Sequence, residues 1–210
     1  MSIRGLIFDL DGTLVDSGLD FEQMRSEMGL AAGAPLLEAL ARLSAAEAER
    51  CHAILERHEC AGAERAVLMP GVAEFLTEAA ARGLRCAVFT RNGRQVARRT
   101  LERLGLQFET IVAREDAPIK PDPAGIWAIC RSWGLSPDEV AMVGDYRFDI
   151  IAGRQAGVKT VCYSARRSAQ EVETWGADFC LACFSAPEKF WQWAAGEKRD
   201  IGSAPYETSA

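Results

Sequence analysis

The chain lacks several features that would define its class. No uninterrupted apolar run approaches the roughly 20 residues that a membrane helix needs, so we expect no membrane partner. Basic residues are not in excess, since 24 Lys and Arg stand against 30 Asp and Glu, and this acidic balance argues against nucleic-acid binding. The seven cysteines are odd in number and scattered, which predicts reduced thiols rather than a disulfide framework. No signal-peptide pattern precedes the first strand, and we expect a cytoplasmic protein.

Segments typical of strands alternate with segments of helical periodicity. The 210 residues, 49% hydrophobic and 26% charged, suit one domain with a modest insertion. The predicted strands cover 3–10, 84–89, 108–113, 140–143, 158–163 and, as a short last strand, 177–181. The predicted helices cover 72–82, 94–104, 123–133 and 148–156. Because apolar strands that alternate with helices form parallel sheets covered on both faces, we expect an α/β fold with a doubly wound parallel sheet.

The segment 17–68 differs from the rest because it carries no strand signal and is rich in Ala, Glu, Leu and Arg. Ser44 and Glu47 form a capping box that opens a helix. Phe21, Met24 and Met28 recur at helical spacing. The predicted units are an α/β core over 1–16 and 69–195, a small helical cap inserted after the first strand over 17–68, and a disordered tail over 196–210.

Two carboxylates follow the first predicted strand directly, in the sequence DLDGT at 9–13. Two acids separated by one residue point to the same side of a strand, and close packing disfavours ionisation of both. A divalent cation relieves this repulsion for one acid and a proton relieves it for the other. The pair Asp9 and Asp11 therefore suits a nucleophilic carboxylate beside a carboxyl acid/base, and Gly12 permits the tight turn that follows.

Polar side chains also follow later predicted strands. They are Thr90, Arg91 and Asn92 after the second strand, Lys120 in a loop after the third, and Asp145 after the fourth, with Asp149 one helical turn further on. Ligands of doubly wound sheets bind beyond the carboxyl ends of the strands. We therefore expect these residues to meet Asp9 and Asp11 in one site.

This order of motifs resembles that of the haloacid dehalogenase (HAD) superfamily and, within it, the phosphoglycolate-phosphatase-like branch. DxDGT after an apolar strand is a specific signal, whereas Thr90 and Lys120 gain weight only from their order and position. The resemblance covers nearly all of the chain except the cap segment and the tail. It implies a Rossmann-like core, a helical cap that acts as a lid over a modest substrate, and a phosphoric monoester hydrolase.

The resemblance also implies catalytic roles. Asp9 would be the nucleophile that forms an aspartyl-phosphate, and Asp11 would be the general acid/base. Mg²⁺, which prefers oxygen ligands, would be held by Asp9, by the backbone carbonyl of Asp11 and by Asp145. Lys120 would neutralise charge on the nucleophile and on the phosphoryl group.

Substrate binding is assigned to the residues after the second predicted strand. Thr90 and the backbone N–H of Arg91, at a helix start, would bond phosphate oxygens, together with Asn92 and Lys120. Many relatives have Asn directly after the Thr, so Arg91 is a departure: it either reads an anionic part of the substrate or lies on the surface in a basic stretch.

The sequence leaves two possible roles open for each of two further side chains, Asp149 and Tyr146. Asp149 supports the site by orienting a metal-bound water or holding Lys120, or it simply caps the helix that begins near residue 148. Tyr146 shapes the entrance to the site or packs on the surface.

The sequence favours a Mg²⁺-dependent phosphatase acting on a small phosphorylated metabolite. The alternatives are a phosphomutase that uses the same residues and a non-catalytic interaction protein that has kept the fold. A dehalogenase needs one nucleophilic carboxylate and no metal cluster, so Asp11 and Asp145 argue against it. Nothing in the sequence indicates the substrate or the oligomeric state.

Overall fold

A six-stranded parallel sheet forms the centre of the computed structural model, which describes residues 2–196. The strands of the described chain are, in chain order, β1 (Gly5–Phe8), β2 (Val15–Asp16), β3 (Val67–Leu68), β4 (Arg85–Phe89), β5 (Thr110–Val112), β6 (Val140–Gly144), β7 (Lys159–Tyr163) and β8 (Phe179–Leu181). The sheet has the order β5-β4-β1-β6-β7-β8, and every adjacent pair is parallel. β2 and β3 form a separate antiparallel pair.

Helices cover both faces of the sheet. The helices of the described chain are α1 (Phe21–Met28), α2 (Leu36–Leu40), α3 (Ala45–Arg65), α4 (Val72–Ala81), α5 (Arg94–Arg103), α6 (Ala124–Trp133), α7 (Arg147–Ala156), α8 (Ala169–Trp175) and α9 (Glu188–Ala194), with a 3-10 turn at Pro137–Glu139. Successive residues of a strand point to opposite faces. Accordingly, Phe8 packs with α4, α5 and α9 in one apolar cluster, whereas Ile7 packs with α6 and α7 in another. The predicted α/β fold with a doubly wound sheet is confirmed.

The secondary-structure elements that were not predicted from the sequence are short. β3 lies inside the segment predicted to contain no strand, so that prediction is wrong at Val67–Leu68. Two residues carry too little pattern to indicate a strand. Val67 and Leu68 form a strand only because the returning chain lies beside Val15 and Asp16. The α8 helix was not predicted, although Ser168 and Glu171 form a capping box at its start.

The helices α1, α2 and α3 share an apolar cluster of their own. It contains Met24, Met28, Leu36, Leu40, Cys51 and Leu55. Phe21, which was expected on the same face, is 47% exposed. The boundaries of the cap segment, 17–68, stay a prediction.

Contacts tie the cap segment to the core. Arg103 of α5 donates through Nε to the Ala63 carbonyl of α3 at 2.8 Å. Arg114 pairs with the buried Glu59 of α3, Nη1 to Oε1, at 2.5 Å. The C-terminal part of α3 is therefore held against the core by buried or half-buried polar contacts.

Two further predictions concern membrane-spanning segments and the tail of the chain. Among the helices of the described residues, none combines the length and apolarity needed to cross a membrane. Apart from Gly196, the tail predicted at 196–210 lies outside the described residues.

Candidate active site

The predicted site residues meet at the carboxyl ends of β1, β4 and β6. They line one cavity of about 310 Å³ together with side chains of the cap segment. The residues that the sequence placed there and that line the cavity are Asp9, Asp11, Thr90, Arg91, Asn92, Lys120, Asp145, Tyr146 and Asp149. They come from four separate stretches of chain, and the parallel sheet brings their strand ends to one edge.

Lys120 joins the two acids that flank it. Its Nζ lies 2.6 Å from Asp9 Oδ1 and 2.7 Å from Asp149 Oδ1, and the side chain is only 1% exposed. Burial by itself would lower the pKa of Lys120, but the adjacent Asp149 and Asp9 outweigh it and the pKa is raised. Lys120 therefore stays charged and fixes one oxygen of each carboxylate.

Asp149 combines two of the roles left open by the sequence. Its Oδ2 accepts a hydrogen bond from the Tyr146 backbone N–H at 3.0 Å, at the start of α7, while Oδ1 holds Lys120. Burial raises the pKa of Asp149, and the charge of Lys120 opposes this. The residue is thus both a helix cap and a partner of Lys120.

A cluster of carboxylates could hold a metal ion. Asp9, Asp145 and Asp149 each offer an oxygen, and these oxygens lie within 4.8 Å of one another. Hard oxygen ligands suit a cation such as Mg²⁺, so the residues present fit the cofactor that the resemblance implies. Asp11 does not belong to this cluster of three, and its contribution through the backbone carbonyl stays a prediction.

Asp145 has a cationic partner that the sequence did not indicate. Arg167 donates through Nη2 to Asp145 Oδ2 at 2.5 Å and through Nε to the Asp145 carbonyl at 2.6 Å. Thr13 Oγ1 lies 3.4 Å from Asp145 Oδ1. Burial and the nearby Asp9 raise the pKa of Asp145, and Arg167 opposes them. The orientation of this carboxylate is therefore set from two sides.

Asp11 is held by two hydrogen-bond donors. Ser17 Oγ donates to Oδ1, and Asn92 Nδ2 donates to Oδ2 at 2.5 Å. Burial raises the pKa of Asp11 to about 6, with a smaller contribution from Asp9, while the bonds from Ser17 and Asn92 act in the opposite direction. A carboxyl group with such a pKa can both donate and accept a proton near neutral pH.

Gly12 makes the turn after Asp11 possible. Its φ is 81°, a conformation that favours glycine. A Cβ at this position would lie 2.6 Å from Asp145 Oδ2. The glycine therefore lets the DLDGT turn pass close to Asp145.

The residues after β4 are arranged differently from the sequence-based expectation. The helix α5 begins at Arg94, so the backbone N–H of Arg91 lies in the preceding loop rather than at a helix start, and that detail of the prediction is wrong. Thr90 is buried, and its Oγ1 accepts a hydrogen bond from the Asn92 backbone N–H at 3.1 Å. Asn92 itself orients Asp11.

Arg91 lines the cavity, and its role in reading an anionic part of the substrate stays a prediction. Its Nη1 donates to the Lys120 carbonyl at 2.6 Å, and its Nη2 pairs with Glu38 Oε2 of α2 at 2.7 Å. The guanidinium also lies 4.6 Å from the centre of the Phe148 ring. Arg91 therefore connects the cap segment to the loop that carries Lys120.

Comparison with known proteins decides the family. The model of the family described as haloacid dehalogenase-like hydrolase matches residues 6–163, which include every motif residue named above. The chain belongs to this family.

Several curated relatives of this haloacid dehalogenase-like hydrolase carry phosphatase names. The N-acetylmuramic acid 6-phosphate phosphatase of Pseudomonas putida is 32% identical over 203 residues, which cover 85% of this chain and 91% of the relative. The phosphoglycolate phosphatase of Rhodospirillum rubrum is 30% identical over 204 residues, covering 83% and 85%. The predicted enzyme class, a phosphoric monoester hydrolase of the HAD superfamily, is confirmed.

Solved structures support the same fold. The crystal structure of a hydrolase from Pseudomonas syringae has a TM-score of 0.76 to this chain, with 24% identity, 91% of this chain covered and 99% of the other. At this level of identity the likeness concerns the fold, and it agrees with the parallel sheet and its flanking helices.

Sequence reasoning missed several polar residues of the site in this HAD hydrolase. They are Ser17, which bonds Asp11; Arg167, which bonds Asp145; and Glu38 and Glu59, which pair with Arg91 and Arg114. Ser17, Glu38 and Glu59 lie within the predicted cap segment and Arg167 lies after β7, so no strand end or motif singles them out. The position of Arg167 after a strand of the sheet was the one signal available.

Proposed function

We propose that the chain is a Mg²⁺-dependent phosphatase that hydrolyses a small phosphorylated metabolite through an aspartyl-phosphate on Asp9, with Asp11 as general acid/base. The observation that carries the proposal is the position of Lys120 between Asp9 and Asp149, 2.6 and 2.7 Å from their oxygens, with Asp145 in the same carboxylate cluster. The carboxylate of Asp9 thus lies beside a cationic side chain and within a group of acids that could bind a metal ion. This environment suits attack on an anionic phosphoryl group.

The chemistry follows from the placement of each group. A carboxylate oxygen of Asp9 attacks phosphorus, the bond from phosphorus to the ester oxygen breaks, and Asp11 donates a proton to that leaving oxygen. Water then attacks phosphorus of the aspartyl-phosphate, Asp11 takes the proton from this water, and inorganic phosphate and free Asp9 are formed. Asp9 and Asp145 would hold Mg²⁺, and the bound ion would compensate the negative charge of the phosphoryl oxygens.

The remaining site residues act on these two acids and on the phosphate. Lys120 holds Asp9 and keeps its charge, which stabilises the negative charge that develops during transfer. Asn92 orients Asp11. The buried Thr90 lies beside these groups in the cavity, where its hydroxyl can bond a phosphate oxygen.

The alternatives gain less support. The curated relatives described above carry phosphatase names, and no described feature favours the phosphomutase. A non-catalytic protein has no need to keep Lys120 buried between two acids, since such a group is expensive to bury without a function.

Hydrolysis of p-nitrophenyl phosphate tests the proposal. Wild type is expected to release p-nitrophenol with Mg²⁺ and to stop when EDTA is added. Asp9→Asn is expected to be inactive because an amide is not a nucleophile of this kind. The matched control is Asp138→Asn, since Asp138 lies before β6 at the opposite edge of the sheet.

The covalent intermediate provides a second readout. Acid-quenched wild type under turnover is expected to gain the mass of one phosphoryl group, and a peptide map should place it on Asp9. Activity that persists in Asp9→Asn, or a phosphoryl group on another residue, would contradict the assignment of the nucleophile.

A further inference from the structure

The cap segment contributes mostly apolar side chains to the cavity. The aliphatic and aromatic residues on this cap side of the cavity are Leu19, Phe21, Met24, Leu36, Leu37 and Leu55. Phe21 is 47% exposed, and on the core side Tyr146 is 37% exposed. Both rings line the same cavity, so a bound apolar group would cover their exposed apolar surface.

The arginines inside the cavity are already engaged by groups of the chain. Arg91 donates to the Lys120 carbonyl and pairs with Glu38. Arg167 is engaged twice by Asp145. Each of these guanidinium groups therefore already neutralises an acid of the protein and uses two of its five N–H donors within the chain.

Arg25 and Arg147 complete the set of guanidinium groups that line the cavity. Arg25 donates through Nε to the Ala34 carbonyl at 2.7 Å and pairs through Nη1 with Glu22 at 2.8 Å. Arg147 is exposed and lies over the ring of Phe148, 5.3 Å from its centre. The interior of the cavity therefore offers apolar contacts to a leaving group. Among the described residues, Arg147 has no ion-pair partner, and its guanidinium lies exposed against an aromatic ring.

An acid of the cap segment lines the same cavity. Glu59 is buried and pairs with Arg114. A carboxylate on the leaving group would add a further negative charge to this cavity, and a desolvated charge without a partner is unfavourable.

We propose that the leaving group of the natural substrate is an uncharged, largely apolar alcohol that packs against the cap side of the cavity, with Phe21 as a specificity-determining residue. This inference rests on the phosphatase function proposed above and names the substrate class. It disfavours esters whose second group is an anion, such as phosphoglycolate, and inorganic pyrophosphate. The volume of about 310 Å³ is near the lower end for ligand pockets, so the ester is small.

Two matched sets of esters test the charge and polarity of the leaving group. The aryl set is phenyl phosphate and 4-carboxyphenyl phosphate; the alkyl set is n-butyl phosphate, glycerol 3-phosphate and phosphoglycolate. The expected result is a kcat/KM at least tenfold higher for phenyl phosphate and for n-butyl phosphate than for the polar or anionic members of their sets. Equal or higher values for the anionic members would overturn the proposal.

A variant of the cavity wall tests the contact itself. Phe21→Ser is expected to lower kcat/KM about tenfold for n-butyl phosphate and to leave methyl phosphate, which has almost no apolar body, unchanged. The control is Ile151→Ser, because Ile151 is also an exposed apolar side chain, 39% exposed, and does not line the cavity. Equal losses for butyl and methyl phosphate, or no loss for either, would remove Phe21 from the substrate contact.

The two proposals fail in different ways. Absence of Mg²⁺-dependent turnover for every ester, methyl phosphate included, would remove the phosphatase function and with it this inference. Turnover that favours the anionic esters would leave the phosphatase function intact and refute the apolar leaving group alone. In that case Arg147→Gln would show whether the arginine over Phe148 binds the anion.

Discussion

Ser17 donates a hydrogen bond to the proposed general acid, and we expect this bond to influence the protonation of Asp11. Its hydroxyl is buried and donates to Asp11 Oδ1, and this bond favours the ionised form of Asp11. Among the interactions that lower the pKa of Asp11, the bond from Ser17 is the largest, while burial raises that pKa to about 6. Removal of the hydroxyl in Ser17→Ala is therefore expected to raise the pKa of Asp11 further.

The size of the effect follows from the strength of the bond. A hydrogen bond to a charged group contributes about 1.5–3 kcal/mol, and each pKa unit corresponds to about 1.4 kcal/mol. Even the lower figure raises the pKa of Asp11 by about 1. Because Asp11 must be protonated to donate to the leaving oxygen, activity falls as the pH rises through its pKa, and a raised pKa keeps the enzyme active at higher pH.

The pH dependence of kcat/KM, which reports the ionisation of the free enzyme, is the appropriate assay. The alkaline limb of Ser17→Ala is expected to lie about 1 pH unit above that of wild type. At pH 8, where Asp11 is mostly ionised in both proteins, kcat/KM should be about tenfold higher in the variant.

A second serine provides the control for this change. In Ser132→Ala, which removes a hydroxyl bonded to the Ile129 carbonyl of α6, the limb should not move. A limb that stays in place in Ser17→Ala, or moves to lower pH, would refute the assignment of Asp11 as the acid or of Ser17 as its donor.

Three further variants test other parts of the site. Asp145→Asn is expected to raise the Mg²⁺ concentration for half-maximal activity by about tenfold or more, and an unchanged metal titration would argue against its role as a ligand. Lys120→Met leaves Asp9 and Asp149 without their buried cation and is expected to lower the free energy of unfolding by about 3–5 kcal/mol, measured by urea denaturation; an unchanged midpoint would contradict the importance of the pair. Because the side chain of Arg91 pairs with Glu38, Arg91→Ala is expected to lower kcat/KM to a similar extent for phenyl and 4-carboxyphenyl phosphate. A loss confined to the carboxyphenyl ester would show that Arg91 binds the anion.

The parallel sheet and the positions of the principal site residues could be predicted from sequence because their signals are local. An apolar strand that ends in DLDGT identifies Asp9 and Asp11, and the rule that parallel strands end at one edge brings Asp145 to them. The boundaries of β1 were less accurate, since Gly5–Phe8 is shorter than the predicted 3–10. The apolar run continues into a turn that its hydrophobicity does not reveal.

The partners of the site residues could not be predicted because they depend on contacts between distant parts of the chain. Arg91 illustrates this: the sequence allowed a substrate-binding or a surface arginine but gave no partner, and the fold places Glu38 of α2 within 2.7 Å of it. Ser17 and Arg167 likewise carry no motif, and they become parts of the site only where the chain brings them beside Asp11 and Asp145.

The sequence by itself determined the class of fold, the acids of the site and the family, because hydrophobic periodicity and the DxDGT motif are encoded in neighbouring residues. The tertiary structure decided which donors hold each acid, that Lys120 lies between Asp9 and Asp149, and that the cap segment lines the cavity with mostly apolar side chains. Hydrogen-bond geometry and burial arise from residues far apart in the chain, so the protonation of Asp11 and the chemistry offered to a leaving group depend on how the chain packs.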